Sequence, residues 1–315
     1  MEQSGELKSA SREMSKALSL DPSNPHTLIY QARFYADSGQ YKQAEETFTK
    51  VLRLRPNLWL AHSEYGVLLD NEGRYSEALL QFRSASLAAP RNALARSNIG
   101  SVYLELGKLD EAIQNCQSSL NLGLNDGAAL GLATASRILR HYTDAVEYAR
   151  TAVKLGAASA INWLDLGDVY TATGRFTAEA VAAYKRAVAV EQEELRTQPN
   201  NGPGWMLLAL CRVKTGDHNA ADEMMNRANK LHSDDIQSQL FKVRTLELLG
   251  RRDEALENIG KILRRGATPF QFQAMPDLER VRTDPRYLQL VQSTTSSPTV
   301  SFQAVMRGTY EKKNL

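Results

Sequence analysis

Gly73-Arg74-Tyr75-Ser76-Glu77-Ala78, followed by Phe82, Ala85 and Pro90, is the stretch whose reading decides the fold. It recurs. Gly39-Gln40-Tyr41-Lys42-Gln43-Ala44 is followed by Phe48, Val51 and Pro56, and Gly107-Lys108-Leu109-Asp110-Glu111-Ala112 by Cys116 and Ser119. The alanines of this phrase fall at 10, 44, 78, 112, 145, 180, 221 and 255, spaced 34, 34, 34, 33, 35, 41 and 34 residues apart. A fixed period near 34 is the signature of a helical solenoid, built of units too small to bury an apolar face alone.

With the alanine numbered 20, each position has a physical reason. Position 8 reads Ala32, Gly66, Gly100, Ala133, Gly167, Ala209 and Val243. Small residues at 8 and 20 let two antiparallel helices approach closely. Position 15 reads Gly39, Gly73, Gly107, Arg140, Gly174, Gly216 and Gly250, where a left-handed residue ends the first helix. Pro22, Pro56 and Pro90 end the second. Tyr35, Tyr103 and Tyr170 at position 11, with Phe48, Phe82 and Tyr184 at position 24, fill the space the small residues leave.

Trp163, Leu166, Gly167 and Tyr170 complete the phrase W-x-x-L-G-x-x-Y, and Trp205, Leu208 and Ala209 repeat most of it. With A-x-x-x-F and a proline behind it, the sequence resembles the tetratricopeptide repeat over residues 1–267. The resemblance implies an all-α fold: a right-handed superhelical α-solenoid of helix pairs, closed by a C-terminal capping helix. Seven repeats are expected at 25–58, 59–92, 93–125, 126–159, 160–201, 202–235 and 236–267. The repeat at 126–159 lacks its aromatics, with Ser136 and Ala149 in their places, and is expected to pack thinly. The repeat at 160–201 carries an extra residue near Phe176, and its second helix is expected to run on to Arg196. Glu191, Glu193 and Glu194 on that helix read as a solvated charged face.

Residues 1–24 match only the second half of a repeat. The expectation is a start internal to a longer protein, with a lone capping helix at 6–20 as the alternative. At the other end, Met275-Pro276-Asp277-Leu278-Glu279-Arg280-Val281-Arg282-Thr283-Asp284-Pro285-Arg286-Tyr287 looks like the closing segment of many bacterial repeat proteins. There it caps the last helix pair and often ends proteins that begin with a kinase, cyclase or DNA-binding regulator. Residues 268–291 are assigned to this cap, and 292–315, rich in Ser and Thr, to a disordered tail.

A net charge of +2, from 38 basic and 36 acidic residues, argues against a dedicated nucleic-acid binder. No apolar run approaches the ~18 residues of a membrane span. No signal peptide is visible, so the default compartment is the cytoplasm, or the periplasm if the N-terminus is truncated. Cys116 and Cys211, on faces expected to be buried, read as small apolar fillers. His26, His62, His141, His218 and His232 never converge with ligand spacing, and no phosphate loop or nucleophile motif occurs. No enzyme activity, metal or cofactor is expected.

The remaining candidate is the groove. In the family, the first helices line the concave side, with positions 2, 5, 9, 12 and 13 facing inward. The candidate peptide-binding residues are Arg33, Ser63 and Asp70 in the first two repeats. Asn98, Ser101, Thr134 and Arg137 follow in the next two, then Asp168, Met206, Leu210 and Lys214, and finally Leu240 and Arg244. The apolar members suit a peptide or the packing of the long 181–198 helix equally well. The family's carboxylate clamp is absent, since the first window offers Ile29 and Arg33, then Glu64, then Leu94 and Asn98; the asparagine ladder is absent too. The expected function is a non-enzymatic scaffold that binds a protein or peptide partner. The alternatives are the regulatory or oligomerising region of a larger enzyme, and a bacterial envelope assembly or secretion factor.

Overall fold

The computed structural model describes residues 12, 13, 15–175, 177–231 and 233–295, and all regular elements among them are helical. They divide into two compact units, one ending at Ala95 and one beginning at Arg96.

In the first unit, residues 15–20 are helical, followed by α1 (Pro25–Asp37), α2 (Tyr41–Leu54), α3 (Trp59–Asn71) and α4 (Tyr75–Ala88). Asn24 starts α1 by accepting from the Thr27 amide at 3.1 Å, with Pro25 at the first helical position. Gly39 and Gly73, at φ of 72° and 77°, turn the chain out of α1 and α3. Ala44 and Ala78 are fully buried where paired helices touch, and Phe48 and Phe82 beside them are buried as well. The small residue at position 8 is a steric requirement: a Cβ on Gly66 would lie 2.6 Å from the Phe82 ring.

The division falls within α5 (Ala93–Glu105). The second unit continues through α6 (Leu109–Leu122), α7 (Asp126–Ile138), α8 (Tyr142–Leu155), α9 (Ala160–Thr173), α10 (Thr177–Thr197), α11 (Gly202–Lys214), α12 (His218–Lys230), α13 (Ile236–Leu248) and α14 (Arg252–Arg264). Consecutive helices pack as pairs, as in a tetratricopeptide solenoid. The aromatic-poor repeat closes alanine on alanine, through Ala133, Ala145, Ala149 and Ala152. Arg140 holds φ of 61° where the other six repeats have glycine.

Helix α10 has 21 residues, against 13 or 14 in the other repeat helices. Its buried stripe is Tyr184, Ala187, Val188, Glu191 and Leu195, a 3–4 spacing that carries its apolar face past the usual repeat end and onto α11. Glu191 therefore does not belong to a solvated face. It is 3% exposed, and its Oε1 lies where a side chain on Gly204 would otherwise stand. Glu193 is exposed as expected, and Glu194 is half-buried.

The closing segment consists of α15 (Pro269–Gln273), a 3₁₀ turn (Pro276–Leu278), α16 (Glu279–Arg282) and α17 (Pro285–Thr295). On the last helix pair, α17 packs against α14 and the 3₁₀ turn against α13. The expected disordered tail lies outside the described residues except for 292–295, which complete α17.

Candidate functional site

The first helices of the second unit bring three charged inner positions together around a fourth charge. Asp168 on α9, Lys214 on α11 and Arg244 on α13 surround Asp277 of the closing segment. Lys214 Nζ donates to Asp168 Oδ1 at 2.6 Å and to Asp277 Oδ1 at 2.7 Å. Arg244 Nη2 reaches Asp168 Oδ2 at 2.5 Å, and its Nε reaches Asp277 Oδ2 at 2.7 Å. The Tyr184 hydroxyl donates to Asp168 Oδ1 at 2.9 Å, and Lys214 sits 4.8 Å from the Tyr184 ring centre. All four charged side chains are nearly buried.

Two positive and two negative charges, cross-linked by hydrogen bonds, compensate each other in this dry setting. Burial works against the Asp168 charge, yet Arg244 and Lys214 hold its carboxyl well below the ordinary range. Asp165, one turn earlier, lacks such partners. Burial pushes it up to about 6 despite Arg137, and its Oδ2 has no hydrogen-bond partner among the described residues. Thr134 hydrogen-bonds Asp165.

The N-terminal part of the closing segment meets the first helices of earlier repeats. Arg137 on α7 donates to the Ala274 carbonyl at 2.5 Å. The Thr268 hydroxyl donates to the Glu105 carbonyl at the end of α5, and the Phe270 ring lies against Gly107. Met206, Leu210 and Leu240 are buried in one core that includes Tyr184 and Leu195 of α10 and Phe272, Leu278 and Val281 of the closing segment. Arg137, Asp168, Lys214 and Arg244 are thus engaged by the chain itself. Asn98 and Ser101 on α5 are half-buried. Sequence reasoning missed Asp277 as a site residue; the signal was a lysine and an arginine at inner positions with only one carboxylate opposite.

The first unit presents a different inner face. Arg33 is 53% exposed and lies 3.6 Å from Glu64. Ser63 is buried. Burial pushes the Asp70 carboxyl up to about 7, and its Oδ1 has no hydrogen-bond partner among the described residues. Asp37 is also raised by burial, with Arg33 opposing. Tyr30 on α1, Val67 on α3 and Leu94 on α5 are exposed.

Among the described residues no three His, Cys, Asp or Glu side chains are grouped to hold a metal. Both cysteines are buried, and burial pushes each thiol up to about 12, so neither is a thiolate near neutrality. No described helix is long and apolar enough to cross a membrane.

Comparison with solved structures shows the same helical architecture. The chain is similar to a chain of the APC/C hetero-tetramer Cut9–Hcn1, at 15% identity over 89% of this chain and 51% of that one, with a TM-score of 0.53. It is also similar to PilW, a type IV pilus biogenesis factor, at 22% identity over 59% of this chain and 87% of that one, with a TM-score of 0.50. A third similar structure is YrrB, a TPR protein with an unusual peptide-binding site, at 17% identity over 56% of this chain and 91% of that one, with a TM-score of 0.39. A comparison with curated protein sequences returned no match. Two models described as tetratricopeptide repeat match residues 2–63, and residues 64–129 and 130–194, together well over half of the 315 residues. The chain belongs to the tetratricopeptide repeat family, whose members mediate protein–protein interactions.

Proposed function

We propose that the chain is a non-enzymatic scaffold that takes a peptide segment of a protein partner along the inner face of repeats 25–58 and 59–92. One observation carries this reading. In the second unit, inner positions 9, 12 and 13 are satisfied by a segment of the chain's own backbone and side chains, through Arg244, Arg137 and Lys214. The equivalent positions of the first unit hold Arg33, Asp37, Val67 and Asp70. There Arg33 and Val67 are exposed, and Asp70 Oδ1 is without a partner among the described residues. A polar group buried without a partner costs free energy that a ligand donor recovers. The expected ligand is an extended or helical segment with a basic or amide donor for Asp70 and apolar side chains for Tyr30 and Val67.

A photo-crosslinking residue placed at Val67 tests this in the full chain, in cells. The expected result is a crosslink to a defined segment of another protein, lost in Arg33→Glu and in Asp70→Ala while both variants stay folded. Crosslinks that are absent, or that persist unchanged in both variants, overturn it.

A further inference from the structure

Two of the three repeats with arginine at position 16 share one ion-pair pattern, and the third breaks it. Position 16 carries arginine three times. Arg74 reaches Glu45, at position 21 of the preceding repeat, at 2.9 Å, and Glu77 three residues on at 2.6 Å. Arg251 reaches Asp222, again at position 21 of the preceding repeat, at 2.5 Å, and Glu254 three residues on at 2.6 Å. Arg175 is the third. The residue at position 21 before it is Val146, and the residue three on is Ala178. Both carboxylates are missing, and the exposed Arg175 side chain has no ion-pair or hydrogen-bond partner among the described residues.

Arg175 lines an open cleft of about 910 Å³ that also takes in Arg140, Val146, Glu147, Arg150 and Lys154. Arg140 and Lys154 are likewise exposed and without side-chain partners among the described residues. Arg150 spends its Nε on the Tyr170 hydroxyl at 2.9 Å. Glu147 is the single acid in the lining. Arg140 also stands at φ of 61°, a conformation glycine adopts freely and an arginine only at a cost. The cleft lies between the two repeats that depart from the pattern, the one without aromatics and the one with the extra residue.

We infer that this cleft is a second docking site, separate from the inner face, for an acidic peptide segment of a protein partner. Carboxylates of that segment take the places that Glu45 and Asp222 fill elsewhere, on Arg175, and pair with Arg140 and Lys154 across the cleft. Charge complementarity selects this occupant: four basic groups face one acidic group, in a molecule whose other position-16 arginines are each held by carboxylates of the chain.

The experiment is fluorescence anisotropy on the full chain with three labelled probes: a short glutamate-rich peptide, its glutamine-substituted twin, and a single-stranded oligonucleotide of equal charge. The glutamate peptide is expected to bind about tenfold more tightly than its twin, the order of one partly desolvated charge pair, and more weakly as salt rises. Val146→Glu supplies the missing internal carboxylate. It is expected to weaken the glutamate peptide about tenfold with a melting temperature unchanged or higher. Lys154→Gln with Arg175→Gln gives the same loss by removing the cations. Equal binding of the two peptides overturns the proposal. So does a folded Val146→Glu chain that binds the glutamate peptide unchanged, or tighter binding of the oligonucleotide than of the peptide.

Discussion

Lys214 Nζ and Asp277 Oδ1 stand 2.7 Å apart across 63 residues of chain, with 5% and 7% of their side chains exposed. This contact joins the sixth repeat to the closing segment. Asp277 supplies the second negative charge that Lys214 and Arg244 require in a dry interior, so the segment completes an electrostatic set rather than merely covering an apolar surface.

Removing that charge leaves two buried cations facing Asp168 alone. Asp277→Ala is expected to cost about 3–5 kcal/mol, the range for breaking a buried pair by deleting one partner. Urea unfolding checks this. Glu193→Ala removes an ion pair with Arg196 whose side chains are 68% and 71% exposed, and its effect is expected to be too small to resolve. Comparable losses in the two variants refute the assignment of the buried cluster.

Stability is expected to fall as pH rises from about 5 to about 8. Burial, with Glu194 adding to it, pushes Glu191 up to about 7 from the ordinary 4.5. A carboxyl raised on folding contributes stability that is fully present below its unfolded pKa and lost as pH climbs through the folded one. Asp165 and Asp70, raised by burial to about 6 and about 7, act in the same direction. Asp168 acts oppositely: its carboxyl is depressed, so its contribution holds above the unfolded value of 3.8 and fails only in strong acid. A tenfold change in a protonation equilibrium is worth about 1.4 kcal/mol, so Glu191→Gln is expected to flatten much of the slope in thermal melts taken across this range. An unchanged slope places the titration elsewhere.

The repeat frame was legible because each of its parts is local. Gly73 ends a helix, Ala78 admits a neighbour and Phe82 fills the gap beside Gly66, all within one period, and the structure shows each in that role. The extension of α10 was legible too, since no breaker intervenes before Pro199. What the period does not encode is contact across many repeats. Lys214 and Arg244 link Asp277 to Asp168, and Thr268 meets Glu105, at separations of over a hundred residues that no spacing rule connects. Glu191 was misread because its charge outweighed its register. It falls on the same stripe as Tyr184, Ala187 and Leu195.

Close approach at position 8 predicts a steric cost. A Cβ on Gly167 would lie 2.3 Å from the Tyr184 ring, the ring whose hydroxyl holds Asp168. Gly167→Ala is expected to cost about 1–3 kcal/mol by overpacking, as is Ala78→Leu at the facing position of an earlier repeat. Gly174→Ala meets nothing within 4 Å, but must adopt φ of 65°. Its expected cost is about 1–2 kcal/mol, from the left-handed backbone alone. Thermal melts of the three variants separate packing from backbone strain: a Tyr184→Ala background, which removes the ring, relieves the first and leaves the last unchanged.

The N-terminal part of the closing segment is held differently from Asp277, and that difference is measurable. Its anchors are the Arg137 bond to the Ala274 carbonyl at 2.5 Å, the Thr268 bond to Glu105, and the Phe270 ring against Gly107. A hydrogen bond from a charged donor contributes about 1.5–3 kcal/mol, enough to govern local opening without governing the fold. Arg137→Ala is therefore expected to speed amide hydrogen exchange in residues 268–275 by about tenfold or more, while α11 and α13 keep their protection. Gly107→Ala acts from the other side, since its Cβ would meet the Phe270 ring at 2.8 Å. Asp277→Ala should loosen the whole segment and α11 and α13 with it. If Arg137→Ala instead speeds exchange throughout the second unit, the segment opens only with the core, and its two ends are one cooperative element.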